Sequence, residues 1–328
     1  MTGNTLQSPL CSIVIRAYNE EKHIERLLTG IAQQTLADIE VILVDSGSMD
    51  STVTIASNFK AAFPIQIVHI LPEEFTFGRS LNLGIKNASG ELIVMASAHV
   101  YPVYPDWLEH LLAPFSDPGI GLTYGKQRGG SHARFSEQQI FARWYPERSQ
   151  PRQPNPFCNN ANAAIRRSLW EQHPYDESLS GLEDLDWARW VMNQGHAISY
   201  VAEAEIVHIH NETPRGVYNR YRREAMAFKH IYLQERFGLL DFFRLTASNI
   251  LSDLWHATRE RKLGRHFSSI FWFRLMQFWG TYQGYRQTGP LTWQLRQTFY
   301  YPNGLTLSSQ NHARKVKPIQ YNDLLEKK

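Results

Sequence analysis

Cysteine is scarce in this chain of 328 residues, which contains only Cys11 and Cys158. Two cysteines cannot form the disulfide framework of a small secreted domain, and their spacing matches no zinc site. Long apolar runs are also missing, because the richest stretch, residues 267–279, contains Arg274 and is shorter than the roughly 20 residues of a membrane-spanning helix. Residues 1–10 are polar and show no signal-peptide pattern. We therefore expect a protein of the reducing cytoplasm.

Acidic residues are few in the last third of the chain. From Pro214 onward, 19 Lys and Arg oppose 7 Asp and Glu, whereas the preceding residues carry 15 against 24, so a segment of net charge +12 follows one of −9. Many aromatic residues are interleaved with these basic ones. Basic, aromatic helices can lie on an anionic membrane surface or pack against the rest of the protein. No nucleic-acid-binding motif accompanies the charge, so we expect no nucleic-acid partner.

Short β-branched runs alternate with helical patterns in the first half of the chain, which is typical of a parallel sheet covered by helices. The predicted strands cover residues 12–16, 41–44, 65–70, 92–96, 198–201 and 206–209. The predicted helices begin near residues 24, 51, 79, 166 and 183, and residues 125–162 are expected to be irregular. We predict an α/β domain with a mostly parallel sheet over residues 1–213, followed by a helical extension over residues 214–328.

Polar clusters follow three of the predicted strands at their carboxyl ends, where ligands bind in open α/β sheets. The residues of these clusters are Arg16, Tyr18 and Glu20, then Asp45 and Ser46, then Ser97 and His99. An aromatic ring and a carboxylate beside a strand end can stack on a nucleotide base and accept its N–H group. Each cluster alone fits an ordinary polar loop equally well. Residues 16–20 contain no glycine, which excludes the pyrophosphate fingerprint of a nicotinamide-dependent dehydrogenase.

The order of these clusters resembles the N-terminal half of the family-2 glycosyltransferases. The resemblance rests on residues 13–21 (IVIRAYNEE), 44–52 (VDSGSMDST), 82–84 (NLG) and 88–91 (ASGE), and it extends over about residues 12–210. It implies a GT-A fold, a nucleotide-diphosphate sugar donor and inversion at the anomeric carbon. It also implies that Tyr18, Asp45 and Ser46 lie beside the nucleotide base, with Arg79 and Asn82 near the diphosphate.

Residues 182–187 (LEDLDW) resemble the family's acidic motif at the start of a helix, where the acceptor hydroxyl is deprotonated. Inverting transfer needs a carboxylate opposite the leaving group, within about 3 Å of the acceptor oxygen. The resemblance makes Asp184 the general base and Glu183 the nearby alternative. Asp186 either holds the loop or caps the helix, and with Trp187 it is expected to border the acceptor. Acidic residues here would otherwise only stabilise the positive end of the helix.

Residues 159–167 (NNANAAIRR) resemble the family segment that precedes the acidic motif. There the short polar side chains of Asn160 and Asn162 can approach a sugar hydroxyl. Asparagine also forms turns without any ligand, so a structural role is the alternative.

The sequence departs from the family where an Asp-x-Asp motif normally binds Mg²⁺ or Mn²⁺, because Ser97-Ala98-His99 stands there. Mg²⁺ prefers oxygen ligands, whereas imidazole suits Mn²⁺ better. One hypothesis is that His99, with His208 or His210, binds a softer metal. The other is that Arg79 and a protonated His99 stabilise the leaving diphosphate. We expect weak or absent dependence on a divalent metal.

Residues 75–82 (FTFGRSLN) and 124–127 (YGKQ) are similar to segments of rhamnosyltransferase-like members, which use dTDP-L-rhamnose. We therefore expect transfer of a sugar from dTDP-rhamnose or a UDP-sugar to a glycan or lipid-linked acceptor in cell-envelope polysaccharide synthesis. The enzyme would act at the inner face of the cell membrane if the basic extension docks there. The missing Asp-x-Asp leaves the alternative of a non-catalytic sugar-nucleotide-binding or scaffold protein, against which the pair Glu183 and Asp184 argues.

Overall fold

The computed structural model describes residues 9–130, 133–210 and 212–287, together with the single positions 317 and 319. An eight-stranded sheet forms the centre of the first 210 residues. Its strands are β1 (Cys11–Ala17), β2 (Ile39–Asp45), β3 (Ile65–His69), β4 (Leu92–Ser97), β5 (Val100–Pro102), β6 (Ile120–Gly129), β7 (Asn162–Arg166) and β8 (Ala197–His208). They lie side by side in the order β3-β2-β1-β4-β7-β6-β8-β5.

Most strands run in the same direction. Strands β3, β2, β1 and β4 pair in parallel, and β6 pairs in parallel with β8. Only β7, between β4 and β6, and the short edge strand β5 run the opposite way. The prediction of a mostly parallel sheet is confirmed.

Helices cover both faces of the sheet. They are α1 (Ile24–Ala32), α2 (Thr52–Asn58), α3 (Phe77–Lys86), α4 (Trp107–Leu112), α5 (Phe135–Trp144), α6 (Arg167–Gln172) and α7 (Glu183–Asn193). Ile13 and Ile15 of β1 point into one apolar layer with Leu27 of α1, whereas Val14 points into the other with Leu81 of α3. Because both faces are buried, the central strands are apolar throughout rather than alternating.

The structure differs from the sequence-based prediction in several elements, and strands β5 and β7 and helix α4 were not predicted. The two late strands predicted at residues 198–201 and 206–209 are one long strand, β8, whose apolar pattern is interrupted by Glu203 and Glu205. Residues 125–162 are not irregular throughout, since β6 continues to Gly129 and α5 follows it. Helix α5 has too few apolar residues to give a clear helical pattern, although Phe135 and Phe141 are buried.

Three long helices follow: α8 (Pro214–Ile231), α9 (Leu239–Arg259) and α10 (Leu263–Arg286). Helices α8 and α10 pack at close range through two glycines. A Cβ atom at Gly284 would lie 2.5 Å from the carbonyl oxygen of Arg222, and one at Gly280 would overlap the carbonyl oxygen of Tyr218. Helix α5, from the first predicted domain, packs against α9 and α10, from the second. The domain boundary between residues 213 and 214 therefore stays a prediction. Within the described residues, no helix has both the length and the apolar character to cross a membrane.

Replacing Gly280 by alanine tests the close approach of α8 and α10. We expect the free energy of unfolding to fall by about 1–3 kcal/mol in urea denaturation, because the added methyl group forces the helices apart. Gly264→Ala in the same helix is the matched control, since a Cβ atom there meets nothing within 4 Å. The control should gain up to about 1 kcal/mol from helix propensity. Equal stability of Gly280→Ala and the unsubstituted protein would contradict the packing.

Candidate active site

A cleft of about 730 Å³ opens at the carboxyl ends of β1 and β4. The loop between β1 and α1 and the start of α7 line it, together with residues of α5 and α8. The cleft therefore lies where ligands bind in open α/β sheets, and the C-terminal helices complete it.

Two adjacent carboxylates, Glu183 and Asp184, face this cleft from the first residues of α7. The guanidinium of Arg16, at the end of β1, donates to Glu183 Oε1 at 3.0 Å. Asn160 contacts both acids, because its backbone N–H donates to Asp184 Oδ2 at 3.2 Å and its amide donates to Glu183 Oε1 at 3.4 Å. Strand β1, the segment before β7 and helix α7 are thus joined at one point.

Leu182 fixes the direction in which α7 begins. Its backbone lies in the left-handed region with φ +57°, which costs a non-glycine residue roughly 1–2 kcal/mol. The helix starts immediately after this turn, so its first two side chains are the two acids. A strained residue of this kind at a cleft is typical of a functional site.

Asp184 holds its proton more tightly than an ordinary aspartic acid. Burial and the negative charge of Glu183 raise its pKa to about 7, although two backbone N–H groups, of Asn160 and Leu185, oppose the shift. A carboxylate with a pKa near 7 is partly ionised at neutral pH and is a stronger base than an exposed one. It can therefore take a proton from a hydroxyl group bound next to it.

Three histidines that line the cleft lie close together: His99 after β4, His208 at the end of β8, and His210. Pairing of β5 with β8 sets Val100 opposite His208 and so brings the three rings together. The His99 and His208 rings stack at 5.1 Å, and the His208 and His210 ring centres are 4.0 Å apart. One ring nitrogen of each lies within 4.8 Å of the others.

Each of the three rings is held through Nδ1 by an oxygen acceptor. The partners are Glu20 for His99 (2.7 Å), Gln127 for His208 (2.8 Å) and Glu137 for His210 (2.7 Å). Because a carboxylate or amide oxygen only accepts, each Nδ1 carries the proton and each Nε2 is left for another partner. His208 Nε2 is buried and has no hydrogen-bond partner among the described residues.

Burial and neighbouring charges shift the pKa values of His99, His208 and Glu137 in different directions. Burial lowers the pKa of His99, but the adjacent Glu20 carboxylate outweighs it and raises the pKa above its usual value. Burial and the two neighbouring histidines hold the pKa of His208 well below its usual range. Burial raises the pKa of Glu137, but His210 and Arg220 outweigh it and leave the pKa lowered.

This arrangement fits a transition-metal ion better than Mg²⁺. Imidazole nitrogens suit Mn²⁺ or Zn²⁺, and histidine ligands usually donate their other N–H to an oxygen behind them, as all three do here. Mg²⁺ requires oxygen ligands, and Ser97 supplies only a hydroxyl. The sequence favours weak metal dependence, whereas the clustering of three histidines points to the softer-metal hypothesis.

Most of the residues predicted to bind the nucleotide sugar line the cleft: Arg16, Tyr18, Glu20, Ser46, Ser97 and His99. Asp45 does not line it. Its carboxylate is buried and accepts from the N–H groups of Gly47 and Ser48, and His69 lies 3.3 Å away. Asp45 therefore shapes the loop after β2, and its place beside the nucleotide base stays a prediction.

Two residues predicted near a diphosphate are not among those that line the cleft, so that role stays a prediction. Arg79 pairs with Glu74 at 3.0 Å on the partly exposed surface of α3. Asn82 is buried, and its amide oxygen accepts from the Trp170 indole at 2.9 Å. The amide nitrogen of Asn82 donates to the carbonyl of Tyr175 at 2.9 Å, so this side chain joins α3 to the segment before α7.

Three residues predicted to contact the acceptor are also outside the cleft. Asn162 is fully buried, accepts from the Trp107 indole and donates to the carbonyl of Ala204, so its amide is used within the core. Trp187 is buried, with its indole N–H on the carbonyl of His173. Asp186 does not line the cleft, and burial and Asp176 raise its pKa. Only Asn160 of the predicted acceptor residues lines the cleft.

Several cleft residues were missed by sequence reasoning. They are Phe77 of α3, Gln127 of β6, Glu137 and Trp144 of α5, and Arg220, Arg223 and Glu224 of α8. Phe77 and Gln127 belong to segments that resemble rhamnosyltransferase-like members. The others are brought to the cleft by long-range packing of α5 and α8, for which local sequence carries no signal.

Comparison with known proteins identifies the family. Residues 12–173 match the family model described as Glycosyl transferase family 2. The chain is 30% identical over 223 residues to the O-antigen chain rhamnosyltransferase RfbN of Salmonella typhimurium, covering 64% of this chain and 69% of that protein. It is 29% identical over 234 residues to the O-antigen chain rhamnosyltransferase WbaN of Salmonella anatum, covering 67% of this chain and 70% of that protein.

A solved structure supports the fold. The mannosyltransferase PcManGT from Pyrobaculum calidifontis, in complex with GDP-Man and Mn²⁺, superposes with a TM-score of 0.56 at 19% identity, over 85% of each chain. The chain therefore belongs to glycosyl transferase family 2, has the GT-A fold and is a glycosyltransferase.

Proposed function

We propose that this enzyme transfers L-rhamnose from dTDP-rhamnose, with inversion, to a glycan or lipid-linked acceptor, with Asp184 as the general base. The observation that carries the proposal is the buried acid pair, which lines the same cleft as the histidine cluster. A base and a cation-binding cluster in one cleft suit a reaction in which a hydroxyl attacks while a diphosphate leaves.

Asp184 is a better candidate for the base than Glu183. Glu183 forms an ion pair with Arg16 and also accepts from Asn160, so its charge is largely compensated. Asp184 faces no cation at contact distance among the described residues, and its pKa is raised to about 7. In the proposed step Asp184 takes the proton of the acceptor hydroxyl while the acceptor oxygen forms a bond to the anomeric carbon. The bond from that carbon to the diphosphate breaks, and its electron pair leaves with the diphosphate.

Relatives support the donor and the acceptor class. Both Salmonella relatives are O-antigen chain rhamnosyltransferases by name, which favours rhamnose as the sugar and a growing envelope polysaccharide as the acceptor. We also propose that the enzyme works in the cytoplasm, next to the membrane. The exposed Trp144 and Arg223, whose side chain lies beside Gly181 just before the acid pair, line the cleft and are proposed to contact the acceptor.

We further propose that His99, His208 and His210 hold a divalent transition-metal ion such as Mn²⁺. When bound, such an ion would stabilise negative charge on the leaving diphosphate. Glu20, Gln127 and Glu137 orient the imidazoles through their Nδ1 atoms. Arg79 pairs with Glu74 outside the cleft, so it is left out of this proposal.

Replacing Asp184 by asparagine should lower the turnover number about 10²–10⁴-fold, which is the usual contribution of a general base. Affinity for dTDP, measured by calorimetry, should stay within a few-fold. Asp186→Asn, two residues along the same helix but outside the cleft, is the matched control and should keep its turnover. Retained transfer by Asp184→Asn together with loss in Glu183→Gln would move the role of base to Glu183.

The same carboxylate should control the pH dependence. Because the base must be ionised, kcat/KM for the acceptor should rise with pH through the pKa of Asp184, about 7. The free energy of unfolding should change with pH in the opposite sense. A carboxyl group whose pKa is raised in the folded state stabilises the protein at low pH, and this stabilisation is lost as the pH rises through the folded pKa. Asp184→Asn should therefore increase the melting temperature more at pH 8 than at pH 5. A pH-independent difference between the two proteins would contradict a raised pKa.

A donor screen tests the proposed substrate. We expect release of dTDP from dTDP-rhamnose, stimulated by a rhamnan or lipid-linked oligosaccharide acceptor, and at least about tenfold less turnover of UDP-glucose or UDP-N-acetylglucosamine, a difference of 1.4 kcal/mol in transition-state binding. The Asp184→Asn protein serves as the blank for contaminating activity. Preferential use of a UDP-hexose would reject rhamnose as the donor sugar while leaving the glycosyltransferase assignment intact.

Metal binding can be measured separately from activity. With dTDP present, Mn²⁺ titrated into chelator-treated protein should give one bound ion by electron paramagnetic resonance, and His99→Gln and His208→Ala should each weaken its affinity at least about tenfold, in line with the loss of one metal ligand. His110→Ala is the control, because His110 pairs with Asp106 on α4. Full transfer activity in excess chelator, with no Mn²⁺ signal, would instead favour stabilisation of the diphosphate by protein cations alone.

A further inference from the structure

Large apolar side chains are exposed mainly on one part of the molecule. Of the fourteen that are exposed within the described residues, ten lie between Leu233 and Trp279, in and beside α9 and α10. They are Leu233, Leu239, Leu240, Phe243, Leu251, Trp255, Phe267, Phe271, Leu275 and Trp279. Contiguous exposed apolar surface of this kind usually marks an interaction site.

The spacing of these residues places them in two stripes. On α10, Phe267, Phe271, Leu275 and Trp279 recur at every fourth position and therefore follow one side of the helix. On α9, Leu240, Phe243, Leu251 and Trp255 are separated by three, eight and four residues, which also keeps them on one side. Each helix thus buries one side and exposes an apolar stripe on another.

The two stripes meet at one end of the helix pair. Phe242, near the start of α9, contacts Trp279 near the end of α10 with ring centres 5.5 Å apart, so the helices are antiparallel. The same Phe242 ring is 5.0 Å from that of Phe243. Phe243 and Trp279, one from each stripe, are therefore neighbours across a single buried ring. We name the surface formed by the two stripes the α9–α10 face.

Basic residues lie at both ends of this helix pair. Around the turn between the helices are Arg259, Arg261, Lys262 and Arg265, and at the other end are Arg236, Arg244 and Arg286. The accessible acids of the same stretch are only Glu235, Asp241 and Glu260, and the last two pair with Arg244 and Lys262. Arg274 and Asp253 neutralise each other inside. The face is therefore apolar in the middle and positive at its ends.

We propose that the α9–α10 face docks on the surface of a bilayer that contains anionic lipids. Aromatic and leucine side chains can enter the boundary between headgroups and acyl chains, while arginines reach the lipid phosphates. No described helix is able to cross a membrane, so the pair would lie in the interface. A second copy of the chain fits less well, because self-association through this face would bring the positive ends of two molecules together.

Helix α8 connects this face to the cleft. One side of α8 packs against α10 at Gly280 and Gly284, and another carries Arg223 and Glu224 into the cleft. Docking through α9 and α10 therefore holds the acceptor side of the cleft at a fixed position relative to the bilayer. This inference rests on the proposed function, since it supplies a reason why a lipid-linked acceptor can reach Asp184.

Vesicle flotation with the full chain tests the proposal. The unsubstituted protein should float with vesicles of phosphatidylcholine and phosphatidylglycerol at low salt, and much less with phosphatidylcholine alone. The triple variant Phe243→Ser, Phe271→Ser and Leu275→Ser should partition at least about tenfold less. The matched control replaces three apolar residues exposed elsewhere, Leu10→Ser, Met49→Ser and Leu71→Ser, and should bind like the unsubstituted protein.

Three outcomes would overturn the docking: no flotation of the unsubstituted protein, equal flotation of the triple variant, or a dimer in light scattering that the triple variant abolishes while vesicles are not bound. Asp184→Asn separates this proposal from the proposed function, because it should float normally although it transfers no sugar. Flotation without any transfer by the unsubstituted protein would reject the proposed function and leave the docking standing. A water-soluble acceptor should be used equally well by the triple variant, which excludes misfolding as the cause of lost binding.

Discussion

The contact on which the cleft depends is the one between Arg16 and Glu183, residues 167 positions apart in the chain. It ties the carboxyl end of the first strand to the first turn of α7, and Asn160 reinforces it by bonding to both Glu183 and Asp184. Two adjacent buried carboxylates repel each other, so one of them needs a cation. Arg16 supplies that cation to Glu183 and leaves Asp184 with the raised pKa. The unequal treatment of two neighbouring acids makes one structural and the other chemically available.

Helix α8 connects the cleft to the other C-terminal helices. Arg220 of α8 bonds to Glu137 of α5, which in turn holds His210, so the wall of the cleft and the histidine cluster are fastened by one chain of ion pairs. On its other side α8 approaches α10 closely enough to require glycine at positions 280 and 284. Through these contacts of α8 with α5 and α10, the C-terminal helices are part of the structure that forms the cleft. The division into two domains stays a prediction.

Features of the fold and the cleft that have a local cause could be predicted from the sequence, whereas those that depend on long-range packing could not. Strands β1, β2 and β4 are continuous apolar runs because both their faces are buried, and the acids at 183 and 184 stand in a recognisable motif. Asn82, Asn162 and Trp187 were expected to touch ligands and instead make hydrogen bonds within the core, because an asparagine or tryptophan that satisfies core hydrogen bonds is the same residue type as one that binds a sugar. Glu137 and Glu224 had no local signal, since only the packing of α5 and α8 brings them to the cleft.

The histidine cluster lies where the sequence departs from the Asp-x-Asp motif. His99 stands at that position, His208 and His210 lie beside it, and the carboxylates of Glu20 and Glu137 stand behind the rings of His99 and His210. The negative charge is moved outward by the width of one imidazole ring. An ion held in this way would keep more of its positive charge exposed to a leaving diphosphate than one bound by two carboxylates. The exchange of the motif's second Asp for His99 therefore favours a softer metal over Mg²⁺.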